Sequence, residues 1–324
     1  MKISQHGRVT LYDYEPQVDD VRAEVLGGLT RPAKMLPAKL FYDARGSQLF
    51  EEICTLEEYY PTRTEIAILH QYVGEMAALI GPRCRLVELG SGSSLKTHVL
   101  LDHLEAPSAY VPIDISKTAL LEASQAIAAK YPALDVLAVC ADYTQRFELP
   151  EPRQPARRTV AFFPGSTIGN LERDDALAFL RRIAGWCGRG GGLLIGVDLK
   201  KDRPTLEAAY NDRRGVTAAF NLNLLHRINR ELGADFDPDA FRHLAIYDEP
   251  QGRIEMRLIS RRPQTVTVDG QAIRFDEGEW ITTEYSHKYS LPEFERLAAA
   301  AGFAVQHVWT DAAQRFSVQY LVAA

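Results

Sequence analysis

The chain has 324 residues, 46% hydrophobic and 25% charged, with a formal net charge of −6 at pH 7. This fits a folded globular protein of one large or two ordinary domains, and the mild negative charge excludes the basic footprint of a nucleic-acid binder. No apolar run approaches the roughly 18 residues of a membrane span, and the N-terminus lacks the apolar core of a signal peptide.

Residues 1–34 read as irregular, with one candidate helix at 19–29. A short amphipathic helix follows from Gly46 to Ile53 and is broken at Glu57-Glu58-Tyr59-Tyr60-Pro61. Thr62 and Glu65 form a capping-box pattern. Behind it Ile66, Leu69, Val73, Met76 and Ile80 recur at helical spacing, which predicts a helix over 62–80.

A regular alternation comes next. Strand-like runs at 86–89, 110–115, 135–140, 159–163 and 193–199 are interleaved with helix-like runs at 95–103, 117–130 and 173–187. Strands joined by helical crossovers predict an α/β, doubly wound parallel sheet. The near-continuous apolar strands suit a sheet covered on both faces. After residue 200 the rhythm changes. Residues 204–232 read as helical, with Val216, Phe220, Leu224 and Ile228 four apart. Strand-like runs at 243–247 and 253–260, a hairpin at 265–273 turning on Asp269-Gly270 and a strand at 280–285 make an antiparallel block. Ser290 and Glu293 form a second capping box opening a helix to about 301, and strands at 304–309 and 316–322 close the chain. A parallel sheet that ends in a helix and an antiparallel strand pair resembles S-adenosylmethionine-dependent methyltransferases, with 200–288 as an insertion.

Leu86 to Thr97 carries the first chemical signal: an apolar strand, a turn Gly90-Ser91-Gly92-Ser93-Ser94, then a helix. Glycines let the backbone turn sharply and approach a ligand, and a helix start offers free N–H groups. A phosphate loop needs glycine before its Lys-Thr pair; Leu95 stands there before Lys96 and Thr97. The dinucleotide fingerprint is weakened by the same missing glycine but stays open. Glu88, just ahead of the turn, suits a cationic or hydroxyl-rich ligand better than a phosphate. Asp114 ends the second strand, where a carboxylate can accept from ribose hydroxyls. Asp142-Tyr143 ends the third, where the carboxylate can accept from an adenine amino group and the ring can lie against the base. Acidic groups at three successive strand ends favour an adenosine-bearing cofactor. Cys54, Cys84, Cys140 and Cys187 are too far apart in sequence for a metal-ligand pair and read as reduced core residues, which implies a cytoplasmic setting.

The chain as a whole resembles the histidine-specific Nα-methyltransferases of ergothioneine biosynthesis. The likeness runs through Phe41-Tyr42-Asp43, Gly46-Ser47, Leu49-Phe50, Glu58-Tyr59-Tyr60-Pro61-Thr62-Arg63 with Glu65, and Glu88 to Thr97. It continues through Tyr110-Val111-Pro112 with Asp114, Phe163 to Leu171 and Gly215 to Asn221. The resemblance implies a class I methyltransferase core of residues 61–200 plus 289–324, and a second, α+β substrate-binding domain of residues 1–60 plus 201–288. It implies S-adenosyl-L-methionine as methyl donor, no metal, and free L-histidine as substrate, methylated on its α-amino group up to three times to hercynine. Neither a nucleic acid, a membrane nor an obligatory protein partner is expected.

Carried over by position, the cofactor contacts would be Gly90, Lys96, Asp114, Asp142 and Tyr143. The family usually has Phe where this chain has Tyr143, and a tyrosine ring can still stack. Tyr60, Asn170 and Tyr210 would meet the substrate carboxylate, and Gly165 and Tyr42 would lie near its amine. Glu284 and Ser286 would meet the imidazole, with Met256 against the ring. A buried Glu bound to an imidazole N–H rejects analogues that lack one. No side chain stands out as a catalytic base, so catalysis is expected from positioning by Tyr42, Tyr60 and Asn170. His287 reads as structural. Methylation of another amino acid or primary amine remains the alternative.

Overall fold

The computed structural model describes residues 1–15, 21–90, 95–143, 145 and 147–324. In chain order it contains β1 (Lys2–His6), β2 (Val9–Asp13), α1 (Val21–Leu29), α2 (Ala44–Thr55), α3 (Tyr60–Ile80), β3 (Cys84–Leu89), α4 (Leu95–Leu101), β4 (Ala109–Asp114), α5 (Lys117–Lys130), β5 (Asp135–Cys140) and β6 (Arg158–Phe163). Then follow α6 (Arg173–Cys187), β7 (Gly192–Asp198), α7 (Arg203–Tyr210), α8 (Val216–Leu232), β8 (Phe241–Asp248), β9 (Arg253–Ser260), β10 (Gln264–Val268), β11 (Gln271–Phe275), β12 (Trp280–His287), α9 (Leu291–Ala300), β13 (Phe303–Thr310) and β14 (Phe316–Ala323).

The main sheet runs β1-β2-β5-β4-β3-β6-β7-β14-β13. From β2 to β7 all pairings are parallel. β14 then pairs antiparallel with both β7 and β13. This is the doubly wound sheet with an antiparallel end that the alternation predicts. The parallel strands are buried along almost their whole length, β7 at every residue, because α3, α4 and α5 cover one face and α6 and α9 the other. Ile68, Val73, Met76, Leu100 and Ile127 belong to one apolar layer, and Phe179, Leu180, Ile183 and Phe294 to the other. Each such side chain contributes about 1.5–3 kcal/mol by leaving water. Chain order reverses between β3 and β6, and at such a switch point the flanking connections diverge and leave a crevice at the strands' C-terminal ends. Gly90 stands at its lip.

A third apolar cluster is separate from these layers. It joins α1, α2, α7 and α8 to the antiparallel sheet β12-β9-β8 and the β10–β11 hairpin, through Val25, Leu49, Phe220, Leu224, Phe241, Leu258 and Phe275. The hairpin turns on Asp269 and Gly270, with φ of +48° and +77°, the left-handed pair of a two-residue turn.

Two expectations are corrected. Residues 2–13 are not irregular: β1 and β2 form a hairpin that extends the main sheet, β2 pairing parallel with β5. These residues therefore lie with the core and not with the α1–α2 part of 1–60. Val9 and Leu11 alternate inward at 0% exposure, a period-two signal too short to stand out. The Thr62/Glu65 capping box does not form either. α3 starts earlier, at Tyr60 with Pro61 in its first turn, and Glu65 is used elsewhere. The Ser290/Glu293 box forms fully.

Candidate active site

The crevice has two walls, and the first is built on strand ends. Gly90 takes φ +75°, which favours glycine, and a Cβ there would meet nothing within 4 Å, so the chain turns beside open space. Asp114 ends β4 and accepts the Ser116 N–H at 2.8 Å. Tyr143 follows β5, edge-on to Phe163 and Phe179 at centroid distances of 6.2 and 5.9 Å. Burial, then the charges of Asp114 and Asp142, push its phenol up to about 12, and the Ala141 N–H donates to the Asp114 carbonyl at 3.1 Å, so the two strand ends lie side by side. Leu95 and Ile115 are 53% and 45% exposed, and Ile115 directly follows Asp114. Carboxylates for hydroxyls and an amino group, with apolar walls for a flat base, fit an adenosyl ligand. Gly92, with the rest of 91–94, lies outside the described residues.

Glu88 does not face a ligand. It is buried, accepts the Thr97 hydroxyl at 2.6 Å and the Tyr110 hydroxyl, and thereby ties the start of α4 to β3 and β4. Burial raises its pKa. The ligand-facing place expected from its position before the glycines is corrected: its carboxylate is occupied by Thr97 and Tyr110. Lys96 pairs with the buried Glu65. Both Glu65 oxygens also accept the Gly165 N–H, at 2.9 Å. Glu65 thus links Lys96 on the cofactor wall to Gly165 on the second wall.

The second wall converges on one ammonium group. Lys288 Nζ lies 2.8 Å from Asp198 Oδ2, 2.8 Å from Ser286 Oγ and 3.0 Å from the Tyr210 hydroxyl. Tyr210 in turn donates to Ser286 at 2.9 Å. Burial works against the charge of Lys288, but Asp198 and Tyr210 together outweigh it and the pKa is raised. Behind this triangle Lys201 donates to Asp198 at 2.7 Å and to Tyr60 at 2.6 Å; burial pulls its pKa down to about 8.

Tyr60 is the exception among the expected substrate residues. It is 2% exposed and its hydroxyl donates to Asp198 at 2.8–2.9 Å, so its proton already serves the buried cluster. Its neighbour Tyr59, 9% exposed, instead stands edge-on to Tyr210 at 6.0 Å. Burial first, then Tyr210, Cys54, Glu284 and Tyr42, raise the Tyr59 phenol. Two adjacent tyrosines at a helix start point in different directions, and sequence position alone did not choose between them.

Glu284 and Met256 lie directly opposite each other on β12 and β9. A bulge at Thr283 precedes Glu284, and with it Ile281, Glu284 and Ser286 share one face with Leu258, Met256 and Ile254. Glu284 is 8% exposed. Burial, only partly offset by Lys288, pushes its carboxyl up to about 7. Asn170 closes the short turn Thr167–Asn170 and does not cap α6, whose N-cap is Glu172. At Gly169 a Cβ would lie 2.7 Å from the His287 carbonyl oxygen and 3.5 Å from Ser286 Oγ, so that turn packs tightly on β12. Tyr42 is 46% exposed, with its ring edge-on to Phe50 and Phe220 at 5.7 and 6.0 Å; burial, then the charge of Glu284, raises its phenol strongly. His287, on the other face of β12, is buried with Nε2 3.3 Å from Glu172, a structural place.

Sequence reasoning missed Asp198, Lys201 and Lys288. Asp198 ends an all-apolar strand, and a charged residue closing such a strand was the available signal. Among the described residues no cluster of His, Cys, Asp or Glu could hold a metal, and no helix is long and apolar enough to cross a membrane.

Comparison with known proteins agrees with this geometry. The chain is 44% identical to a histidine N-alpha-methyltransferase of Mycolicibacterium smegmatis over 93% of this chain and 94% of that one. It is 42% identical to a protein of the same name from Mycobacterium tuberculosis over 92% and 93%. It is also 35% identical to ergothioneine biosynthesis protein 1 of Neurospora crassa, over 86% of this chain but 32% of that protein. Residues 21–323 match the family described as histidine-specific methyltransferase, SAM-dependent. With a doubly wound sheet, an adenosyl-shaped wall and a buried carboxylate across from it, the chain belongs to the S-adenosylmethionine-dependent, histidine-specific methyltransferases.

Proposed function

We propose that this enzyme methylates the α-amino nitrogen of L-histidine, three times in succession, to give hercynine for ergothioneine biosynthesis. The observation that carries the substrate choice is Glu284: a buried carboxylate on the same strand as Ser286, with the apolar Met256 directly opposite it. An imidazole N–H supplies the partner such a group needs, and analogues without one leave it unpaired.

S-adenosyl-L-methionine, when bound, supplies an electrophilic methyl group. Asp114, Asp142, Tyr143 and Gly90 fit its adenosyl part, and Lys96 acts through Glu65 on the adjoining loop. Tyr59, Tyr210 and Asn170 hold the substrate carboxylate; Tyr59 replaces Tyr60 in that role. Glu284 accepts from the imidazole and Ser286 serves the other ring nitrogen. Fixing both ends of histidine aims the α-nitrogen lone pair, and such positioning replaces an intermolecular encounter. Each transfer starts from the ammonium form: one proton leaves to water and frees the lone pair, then an N–C bond forms and the S–C bond breaks with its electrons left on sulfur. Tyr42 stays a neutral phenol. Its half-open ring leaves a route for that proton and room for added methyl groups near Gly165.

We assign residues 61–200 plus 289–324, together with β1 and β2, to the cofactor core, and 21–60 plus 201–288 to the substrate domain. The separate apolar cluster of the latter supports this division. The four thiols are free. Burial pushes those of Cys84 and Cys187 up to about 12, which suits a reducing cytoplasm. Incubating the protein with histidine and S-adenosylmethionine should yield products heavier by one, two and three methyl groups. No mass change would sink the reading.

A further inference from the structure

We propose that Lys288 is a positioning residue that makes Ser286 and Tyr210 hydrogen-bond donors toward the substrate, and so admits histidine only as the neutral ring with its bare nitrogen at Ser286. This rests on the assignment of the imidazole to Glu284 and Ser286.

An ammonium group has three N–H bonds and no lone pair. Those of Lys288 have three acceptors: Asp198 Oδ2 at 2.8 Å, Ser286 Oγ at 2.8 Å and the Tyr210 oxygen at 3.0 Å. Both hydroxyl oxygens therefore turn a lone pair toward Lys288, and their hydrogens point away from it. In the empty site one of these hydrogens bridges Tyr210 and Ser286, which are 2.9 Å apart. With substrate present, the Tyr210 hydrogen goes to the carboxylate and the Ser286 hydrogen to the ring.

Charge acts in the same direction. A ring N–H approaching Ser286 would point a positive hydrogen at an ammonium one hydroxyl behind it. A protonated ring would add a second cation there, and inside a protein such repulsion is several-fold stronger than in water. On the other side Glu284, once ionised, accepts the ring N–H. The two ends together fix the proton on the nitrogen facing Glu284. Asp198 holds Lys288 from the end of β7, so the cofactor core sets the hydrogen-bond polarity of the substrate domain. Lys201 and Tyr60 complete the cluster by satisfying Asp198 from its other side.

The test is nitrogen NMR of ring-labelled histidine bound to the full-length protein with S-adenosylhomocysteine, at about pH 6, where a free imidazole (usual value about 6.5) is mostly protonated. The expected spectrum has one protonated and one bare ring nitrogen. Lys288→Met should return the bound ring to the titration of free histidine and raise KM for histidine about tenfold or more, with KM for S-adenosylmethionine unchanged. The double variant Lys288→Met/Asp198→Asn removes the carboxylate that the single change strands, and should behave alike if the single one fails to fold. A doubly protonated ring in the wild type overturns the proposal, whatever the variants do. So does a neutral, singly protonated ring that survives in either variant. If no labelled histidine binds, the substrate assignment itself falls and this inference with it.

Discussion

Glu284 faces Met256 across the β9–β12 ladder because Thr283 is an extra residue in its strand. Without that bulge, Glu284 would point to the face of Arg257, Glu255 and Arg253, where those three already pair. The bulge moves it into the apolar face beside Met256. A β-bulge re-aims a side chain in this way and is common next to functional sites.

The displaced carboxylate has a thermodynamic signature. A glutamate ionises at 4.5 without perturbation and Glu284 at about 7 in the fold. Between these values the folded state holds the extra proton, so stability of the ligand-free protein falls as pH rises from about 4.5 to about 7. The gap corresponds to at most about 3 kcal/mol. Glu284→Gln should remove this slope, raise Tm at pH 8 by a few degrees, and weaken histidine binding about tenfold or more. Calorimetric titration with histidine and with S-adenosylhomocysteine checks it; unchanged histidine affinity ends the role of Glu284 as imidazole acceptor.

Tyr59 and Tyr60 should separate cleanly. Tyr59→Phe removes the hydroxyl proposed to meet the substrate carboxylate; a bond to a charged group is worth about 1.5–3 kcal/mol, so KM for histidine is expected to rise about tenfold or more with Tm unchanged. Tyr60→Phe instead takes a partner from Asp198 and Lys201. Its cost, about 1–3 kcal/mol, should appear in Tm with little change in KM. Thermal melts alongside initial rates distinguish the two, and a reversed pattern returns Tyr60 to the substrate.

The sheet was readable because strands buried on both faces are apolar runs, and 135–140, 117–130 and 173–187 fall on β5, α5 and α6 residue for residue. The places of Asp114, Asp142 and Tyr143 at strand ends were readable because the alternation locates those ends. The second wall was not. Its polarity comes from Asp198, Lys201 and Lys288, brought together from β7, the segment after it and the end of β12, and no local pattern relates them. The Glu284 face depends on a one-residue bulge, which alternation counted from Trp280 cannot reveal. Tyr59 against Tyr60 is a question of which side of a helix start faces the crevice, and Pro61 moved that start.

Gly169 should be intolerant for a reason confined to the substrate wall. An alanine there sets its methyl 2.7 Å from the His287 carbonyl oxygen and 3.2 Å from its amide nitrogen, backbone atoms that cannot give way singly. Overpacking of this kind costs about 1–3 kcal/mol. The turn would lift from β12 and carry Asn170 with it. Gly169→Ala is expected to raise KM for histidine several-fold while S-adenosylhomocysteine affinity stays within error. Loss of both would mean the turn supports the cofactor wall as well.

Gly196, in the middle of β7, is expected to affect both walls at once. A Cβ there would sit 2.0 Å from Glu65 Oε1, and Glu65 is 1% exposed, held by the Gly165 N–H and by Lys96. Gly196→Ala must therefore push the carboxylate away from both partners, freeing the Gly165 loop on one side and Lys96 on the other. KM should rise for histidine and for S-adenosylmethionine together, with a drop in Tm matching about 1–3 kcal/mol. Glu65→Asp added to Gly196→Ala draws the carboxylate back by one methylene and relieves the contact. Partial recovery of Tm in that double variant, without full recovery of either KM, is the expected result. If Gly196→Ala alone left both constants unchanged, Glu65 would not be the link between the two walls.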